Sequence, residues 1–263
     1  MAIDIYQVDA FTEKPFGGNP AAVCIMPGPA EPAWMQHVAR DMNVSETAFL
    51  YGEKGGYNLR WFTPSVEVEL CGHATLASAH ILWETERASR GEAIEFHTLS
   101  GVLTAAPDGD SIELDFPSEP EREEAAPPAL IESLGVKPLY VGRNRFDYLV
   151  EVGSEKEVWA LRPDFALLST IPVRGVMVTA ASDTPGYDFV SRFFGPASGI
   201  NEDPVTGSAH CCLGSYWEKK LGKSEFLAYQ ASLRGGVIGV RVLGGRVKLI
   251  GRAVTVFKGV MCV

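Results

Sequence analysis

Hydrophobic and polar positions alternate along much of this chain. Ile3-Asp4-Ile5-Tyr6-Gln7-Val8, Ile112-Glu113-Leu114-Asp115-Phe116 and Tyr148-Leu149-Val150-Glu151-Val152 follow a two-residue period or run apolar, which predicts strands. Val66 to Leu70 alternates in the same way and predicts another. Gly236 to Leu243, the pair Gly244-Gly245, and Arg246 to Ile250 predict a hairpin on a tight turn. Helical periods are fewer. Glu31 to Met42 predicts a short amphipathic helix with Pro32 in its first turn and Trp34, Val38 and Met42 on one face. Two further segments are apolar nearly all round and predict buried helices. One follows Cys71-Gly72-His73 through ATLASAHILW. The other follows Asn201-Glu202-Asp203-Pro204 through TGSAHCCLGSYWEKKLG and stops near Gly222.

These elements fall into two halves. Ser118 to Pro128 is acidic, proline-containing and almost free of apolar residues, so it predicts a solvated linker near the middle of the chain. Arg60-Trp61-Phe62-Thr63-Pro64 is echoed by Arg192-Phe193-Phe194-Gly195-Pro196, and Ser78-Ala79-His80 by Ser208-Ala209-His210, at nearly the same offset. Matches in one order at about half the chain length point to an internal duplication. Many strands with one buried helix per half is not the alternating pattern of a parallel sheet. The expected class is α+β, two pseudo-symmetric β-rich lobes, each wrapped around a central buried helix. The lobes are expected at residues 1–117 and 118–252.

The chain has 263 residues, enough for two domains or one large one. The 33 acidic residues against 23 basic ones give a net charge of -10, which argues against a nucleic-acid binder. The start carries no basic, apolar leader pattern, and no apolar run reaches the ~20 residues of a membrane span. The five cysteines are an odd number without CxxC spacing, which suits a reducing compartment and no disulfide framework. No Cys/His cluster has the spacing of zinc ligands along the chain. The expectation is a cytoplasmic protein that needs no metal and partners neither nucleic acid nor membrane. No GxxxxGK[ST] loop is present, and Gly235 to Gly239 leads into a strand, so neither nucleotide motif is supported.

Candidate chemistry gathers at the starts of the two buried helices. A helix N-terminus offers free N–H groups and a partial charge of ~+0.5, suited to a carboxylate or phosphate. Gly72-His73 and Gly207-Ser208 stand there, aimed at a shared cleft if the halves are related by a pseudo-twofold axis. The glycines could equally serve only to relieve turn strain. Asp203 precedes the second helix, and at an offset of 132 its counterpart is Cys71. Such a pair could donate and accept protons at carbon, or be a plain helix cap and a small buried hydrophobe. Glu46 sits in the apolar run Val44 to Leu50, where an acid is either an exposed turn residue or a general base in an apolar setting. His80 and His210 lie inside the buried helices, where packing or a backbone hydrogen bond is the expected role.

These residues resemble one family. Gly18-Asn19-Pro20-Ala21-Ala22-Val23, Ser45-Glu46-Thr47-Ala48-Phe49, Arg60 to Pro64 and Cys71-Gly72-His73-Ala74-Thr75-Leu76 are similar to motifs of the PhzF-like phenazine-biosynthesis isomerases. So are Glu202 to His210, the segment Gln230…Arg234-Gly235-Gly236, and Gly251-Arg252-Ala253. The resemblance runs from the first strand to the C-terminus and implies the diaminopimelate-epimerase-like fold, with residues 253–263 returning to the first lobe, and a homodimer. It implies cofactor-independent proton transfer at carbon on a small carboxylated metabolite. Glu46 is then the acid/base, with His73 and Asp203 as catalytic partners and Ser45, Gly72, Gly207 and Ser208 as substrate contacts. The related epimerases use one cysteine from each half. Here Cys71 stands near the first position, the second half offers Asp203 and Thr206, and Cys211 and Cys212 are expected to face the core. Two alternatives follow: an epimerase or racemase using Cys71 and Asp203, or a metabolite-binding module without turnover. Specificity is expected in loops such as Asn144-Arg145-Phe146-Asp147.

Overall fold

The computed structural model describes residues 2–262. The chain divides into two compact units, one running to Phe116 and resuming at Leu249, the other spanning Pro117–Lys248.

In the first unit, β1 (Ala2–Ala10) pairs antiparallel with β2 (Asn19–Ile25), and α1 (Pro32–Met42) then leads to β3 (Glu46–Glu53), parallel to β2. Next, β4 (Gly56–Phe62) returns antiparallel to β3, followed by the short β5 (Glu67–Val68) and the central helix α2 (Gly72–Glu84). The last part of the sheet is β6 (Ile94–Thr98), parallel to β4, with β7 (Gly101–Asp108) and β8 (Ser111–Pro117) antiparallel in turn. At the other edge, β1 also carries the last strand of the chain, β18 (Ala253–Cys262), antiparallel.

The second unit repeats this plan. After β9 (Arg122–Glu123) and α3 (Pro128–Leu134), β10 (Tyr140–Arg143) and β11 (Asp147–Glu151) pair antiparallel. The short helices α4 (Glu155–Ala160) and α5 (Phe165–Leu168) connect to β12 (Gly175–Ala181), parallel to β11, and β13 (Phe189–Gly195) returns antiparallel. The short β14 (Ile200–Asp203) precedes the central helix α6 (Gly207–Leu221). Then β15 (Glu225–Gln230) lies parallel to β13, and β16 (Gly236–Leu243) pairs with it before turning at Gly244 into β17 (Arg246–Gly251). From β1 to β8 and from β10 to β17, strand order and strand sense are the same. This is the α+β, pseudo-symmetric architecture that the patterning predicts.

Both central helices are buried because their sequences leave no polar face. In α2, ten of the residues from His73 to Trp83 are buried, and the helix lies on β1, β2 and β3. In α6, burial runs from Ala209 to Trp217 before the charged last turn. The ring of Phe189 stacks on Trp217 at 5.5 Å, and the Trp217 indole donates to Thr179 Oγ1 at 3.1 Å. Buried aromatic side chains bring large apolar area, and the indole N–H needs a partner when covered.

Four sequence expectations are corrected. The helix at 32–42 buries Met35, Val38 and Ala39, with Trp34 and Met42 at the margin of that core, so its apolar face is rotated from the predicted one. The alternation from Val66 to Leu70 yields only a two-residue strand, because Thr63 Oγ1 accepts from the backbone of Ser65 and Val66 and bends the chain. The acidic segment Ser118–Pro128 is not a solvated linker. Ser118 donates its N–H to Gly245, Glu119 pairs with Arg145, the buried Glu121 pairs with Lys219, and Arg122–Glu123 form a strand on β10. Glu119 and Glu121 are thus neutralised by partners, while Arg122, Glu123 and Glu124 stay exposed. Finally, the repeated Ser-Ala-His triplets are not equivalent positions. Cys71 is the N-cap of α2 and Thr206 that of α6, so Cys71 corresponds to Thr206, and His73 to Ser208. The Arg60 match does hold: Arg60 forks onto Glu67 of β5 as Arg192 forks onto Glu202 of β14.

Among the described residues, no helix is long and apolar enough to cross a membrane.

Candidate active site

In the first unit, three backbone features deliver four side chains to one place. Gly18 turns the chain into β2 at φ 60°, and a Cβ there would lie 2.1 Å from the Ala10 carbonyl oxygen, so only glycine fits. Asn19 follows, fully buried, at the first position of β2. Glu46 is the first residue of β3, in parallel register with Ala21. Cys71, in extended conformation, starts α2, which places His73 in its first turn.

The His73 ring lies between these groups. Its Nδ1 is 3.3 Å from Asn19 Nδ2 and 3.6 Å from Cys71 Sγ, and its Nε2 is 3.1 Å from Glu46 Oε2. The last two atoms are buried, yet neither has a hydrogen bond of good alignment. The two atoms therefore face each other as a buried acid–base pair. Burial works against charge on His73, but Cys71 and Glu46 more than offset it and hold the imidazole well above its ordinary range. Burial pushes the Cys71 thiol up, opposed by the neighbouring His73. Ser45 is half-buried just before β3, and Gly72 is half-buried at the start of α2.

Glu46, Cys71 and His73 each place one donor atom within 4.8 Å of the others, a group that chain spacing did not reveal. These are zinc-type donors. Their arrangement is a chain rather than a chelate, because Cys71 meets one ring nitrogen and Glu46 the other.

In the second unit, Asp203 ends β14 and is not the cap of α6. The N-cap is Thr206, and its side chain does not close the helix end. Thr206 Oγ1 instead donates to Asp203 Oδ2 at 2.5 Å. Gln230, fully buried at the end of β15, binds the same corner through its amide. Ser232 Oγ donates to the Pro204 carbonyl at 2.8 Å. Gly207 is buried and Ser208 half-buried in the first turn of α6.

The remaining candidates are occupied elsewhere. Cys211 and Cys212 are buried, and burial pushes the Cys211 thiol up to about 12. His210 donates from Nδ1 to the Thr206 carbonyl at 2.8 Å and stacks on Phe189; burial lowers its pKa to about 4. His80 meets Thr255 and Glu84 at 3.1 and 3.2 Å. In the loop Asn144–Asp147, Asn144 Oδ1 accepts from the next two free N–H groups, Asp147 is wholly buried against Arg174, and Arg145 forks onto Glu119. That loop is a braced hairpin turn. Asn19 and Gln230 were not singled out as site residues by spacing; each stood in a family-like motif, which was the available signal.

Comparison with known proteins agrees with this architecture. The family model described as phenazine biosynthesis-like protein matches residues 8–259. An uncharacterized isomerase of Halalkalibacterium halodurans is 60% identical over 259 residues, covering 98% of each chain. The crystal structure of a PhzF-family phenazine biosynthesis protein from Enterococcus faecalis is 40% identical, covers 100% of both chains, and superposes with a TM-score of 0.95. A hydroxyproline epimerase from Agrobacterium vitis, 13% identical with a TM-score of 0.67 and covering 98% of this chain and 92% of its own, shares the fold. The chain thus belongs to the phenazine biosynthesis-like family.

Proposed function

We propose that this PhzF-like isomerase moves a proton between carbons of a small carboxylated metabolite, using only its own acid–base groups. Glu46 removes the proton and returns it at a second carbon. His73 orients the substrate or relays protons beside Glu46. From the second unit, Asp203, Gly207 and Ser208 enter the reading by the family resemblance, as do Ser45 and Gly72 from the first, together with a homodimer and a cytoplasmic location. The observation that carries the reading is the buried Glu46 Oε2 beside His73 Nε2 at 3.1 Å, both short of an aligned hydrogen bond. A general base acts through a proton within hydrogen-bond reach, and the ring beside Glu46 supplies a second proton-carrying group at that distance.

Deuterium uptake in D2O, followed by NMR on a panel of small carboxylated metabolites including a dihydro-hydroxyanthranilate, tests it. Glu46→Gln should lower exchange or isomerisation by ~10²–10⁴-fold. Near-wild-type turnover by Glu46→Gln would sink the assignment. A second reading, an epimerase or racemase using Cys71 and Asp203, is favoured by the Cys71 thiol lying 3.6 Å from a ring nitrogen that can take its proton. Binding of a metabolite with no exchange at all would instead support a module without turnover.

A further inference from the structure

The corner that carries Asp203 has a hydrogen-bond order that chemistry alone can assign. The Thr206 backbone N–H can only donate, and it lies 2.8 Å from Gln230 Oε1. The Asp203 backbone carbonyl can only accept, and it lies 2.8 Å from Gln230 Nε2. The Gln230 amide therefore has one possible orientation. Its Nε2 also reaches Thr206 Oγ1 at 3.2 Å, and an amide nitrogen donates. Thr206 Oγ1 thus receives a proton from Gln230 and has its single proton to give elsewhere. The acceptor is Asp203 Oδ2, 2.5 Å away. The Thr206 carbonyl is held as well, by His210 Nδ1–H at 2.8 Å, so the residue has little freedom to turn.

We infer that Gln230 is a positioning residue: it orients the Thr206 hydroxyl so that its proton always points at the Asp203 carboxylate. This rests on the reading of Asp203 as a group that acts on substrate. A hydroxyl donated to a carboxylate stabilises the ionised form and fixes the direction of its other lone pairs. Gln230 needs no contact with substrate to do this. Its own placement is secure, since it is fully buried and ends β15, in register with Ser191 on one side and Gly236 on the other. A charged group acting on Asp203 from a neighbouring element is Arg174, and the buried His210 is bonded to the Thr206 carbonyl. Both stay unchanged in the variants below.

The test uses the free protein and needs no substrate. Protein labelled with 13C at aspartate carboxyls is titrated by NMR, with Asp203 identified by Asp203→Asn. Thr206→Val keeps the shape of the side chain and removes the hydroxyl; Gln230→Leu removes the group that orients it. Each should raise the Asp203 midpoint by about one pH unit, the size of one hydrogen bond to a charged group. Thr206→Ser, which keeps the hydroxyl, should restore the wild-type midpoint. A midpoint unmoved in Thr206→Val, or moved only there and not by Gln230→Leu, overturns the inference. If Gln230→Leu does not fold, the Thr206 hydroxyl proton of the wild type decides: slow exchange and a cross-peak to Asp203 are expected, and a freely exchanging proton overturns it. Because turnover is not the readout, failure of the Glu46 reading and failure of this one are seen separately.

Discussion

Arg192 holds Glu202 through two N–H···O bonds of 2.7 and 2.9 Å, and the same fork joins Arg60 to Glu67 in the other half of the chain. Each arginine also lies over the ring two residues on, Phe194 or Phe62. The pairs differ in burial: the Arg192 side chain is 10% exposed and that of Arg60 25%. Arg192 additionally donates to the carbonyls of Val158 and Leu161. Removing one partner of a fully buried pair costs about 3 kcal/mol or more, whereas an exposed pair contributes about 1 kcal/mol, and Arg192 stands nearer the first limit than Arg60 does. Arg192→Met should therefore lower the urea midpoint further than Arg60→Met. Equal effects would mean that the duplication, not burial, sets their worth.

Gly214 lies mid-helix in α6, where alanine would ordinarily be better by ~1 kcal/mol. A Cβ there would meet Val240 Cγ1 at 2.7 Å and Val242 Cγ2 at 3.2 Å, both on the buried strand β16. Branched side chains in a packed sheet cannot turn aside, and overpacking costs about 1–3 kcal/mol. Gly214→Ala should come out less stable than wild type by chemical denaturation, despite its better helix propensity. A stabilised variant would show that α6 can move off β16 without cost.

Glu155 gives the chain an acid-sensitive point. Burial alone would raise its pKa, but donors from Thr184, Trp159, Asp183 and Ser182 hold the carboxylate at about 2. The Asp183 N–H approaches to 2.6 Å and the Thr184 hydroxyl to 2.8 Å. In the unfolded chain a glutamate titrates near ~4.3, so the folded pKa is depressed. The associated stability is fully present above the unfolded value and is lost as pH falls towards 2. Comparing urea midpoints at neutral pH and near the bottom of that window, Glu155→Gln should be less stable at neutral pH and show a shallower acid loss. Parallel acid limbs in the two proteins would assign the sensitivity to other groups.

Strand periods, the hairpin at Gly244-Gly245 and both central helices were legible because burial of one sheet face or one whole helix leaves a regular trace in residue type. The Arg60–Arg192 match was legible because both arginines do the same structural job. What spacing misassigned was the pairing of Cys71 with Asp203. The loops before the two helices differ in length, and an offset read from strands does not carry across them. The bonded state of Ser118–Pro128 was hidden for another reason: an acidic segment looks the same in sequence whether water or Lys219 and Arg145 neutralise it. Likewise Asn19, 54 residues from His73, could not be joined to it by any local rule.

Cys71 separates the two readings of the site. Its thiol is buried and 3.6 Å from His73 Nδ1, on the side of the ring away from Glu46. If Glu46 carries the proton, Cys71 only supports the ring, and Asn19 Nδ2 at 3.3 Å supports the same nitrogen. Cys71→Ser should then leave turnover within about tenfold of wild type, less than the ~10²–10⁴ expected of a lost acid–base group. If Cys71 itself delivers or removes the proton, burial leaves it mostly as the thiol, and serine, a far weaker acid, cannot replace it. Turnover in Cys71→Ser would then fall by that larger factor while Glu46→Gln kept it, and solvent deuterium would appear in one enantiomer of the product only. Measuring exchange for both variants on the first converted metabolite distinguishes these outcomes, since each variant removes one proton carrier and leaves the His73 ring between them in place.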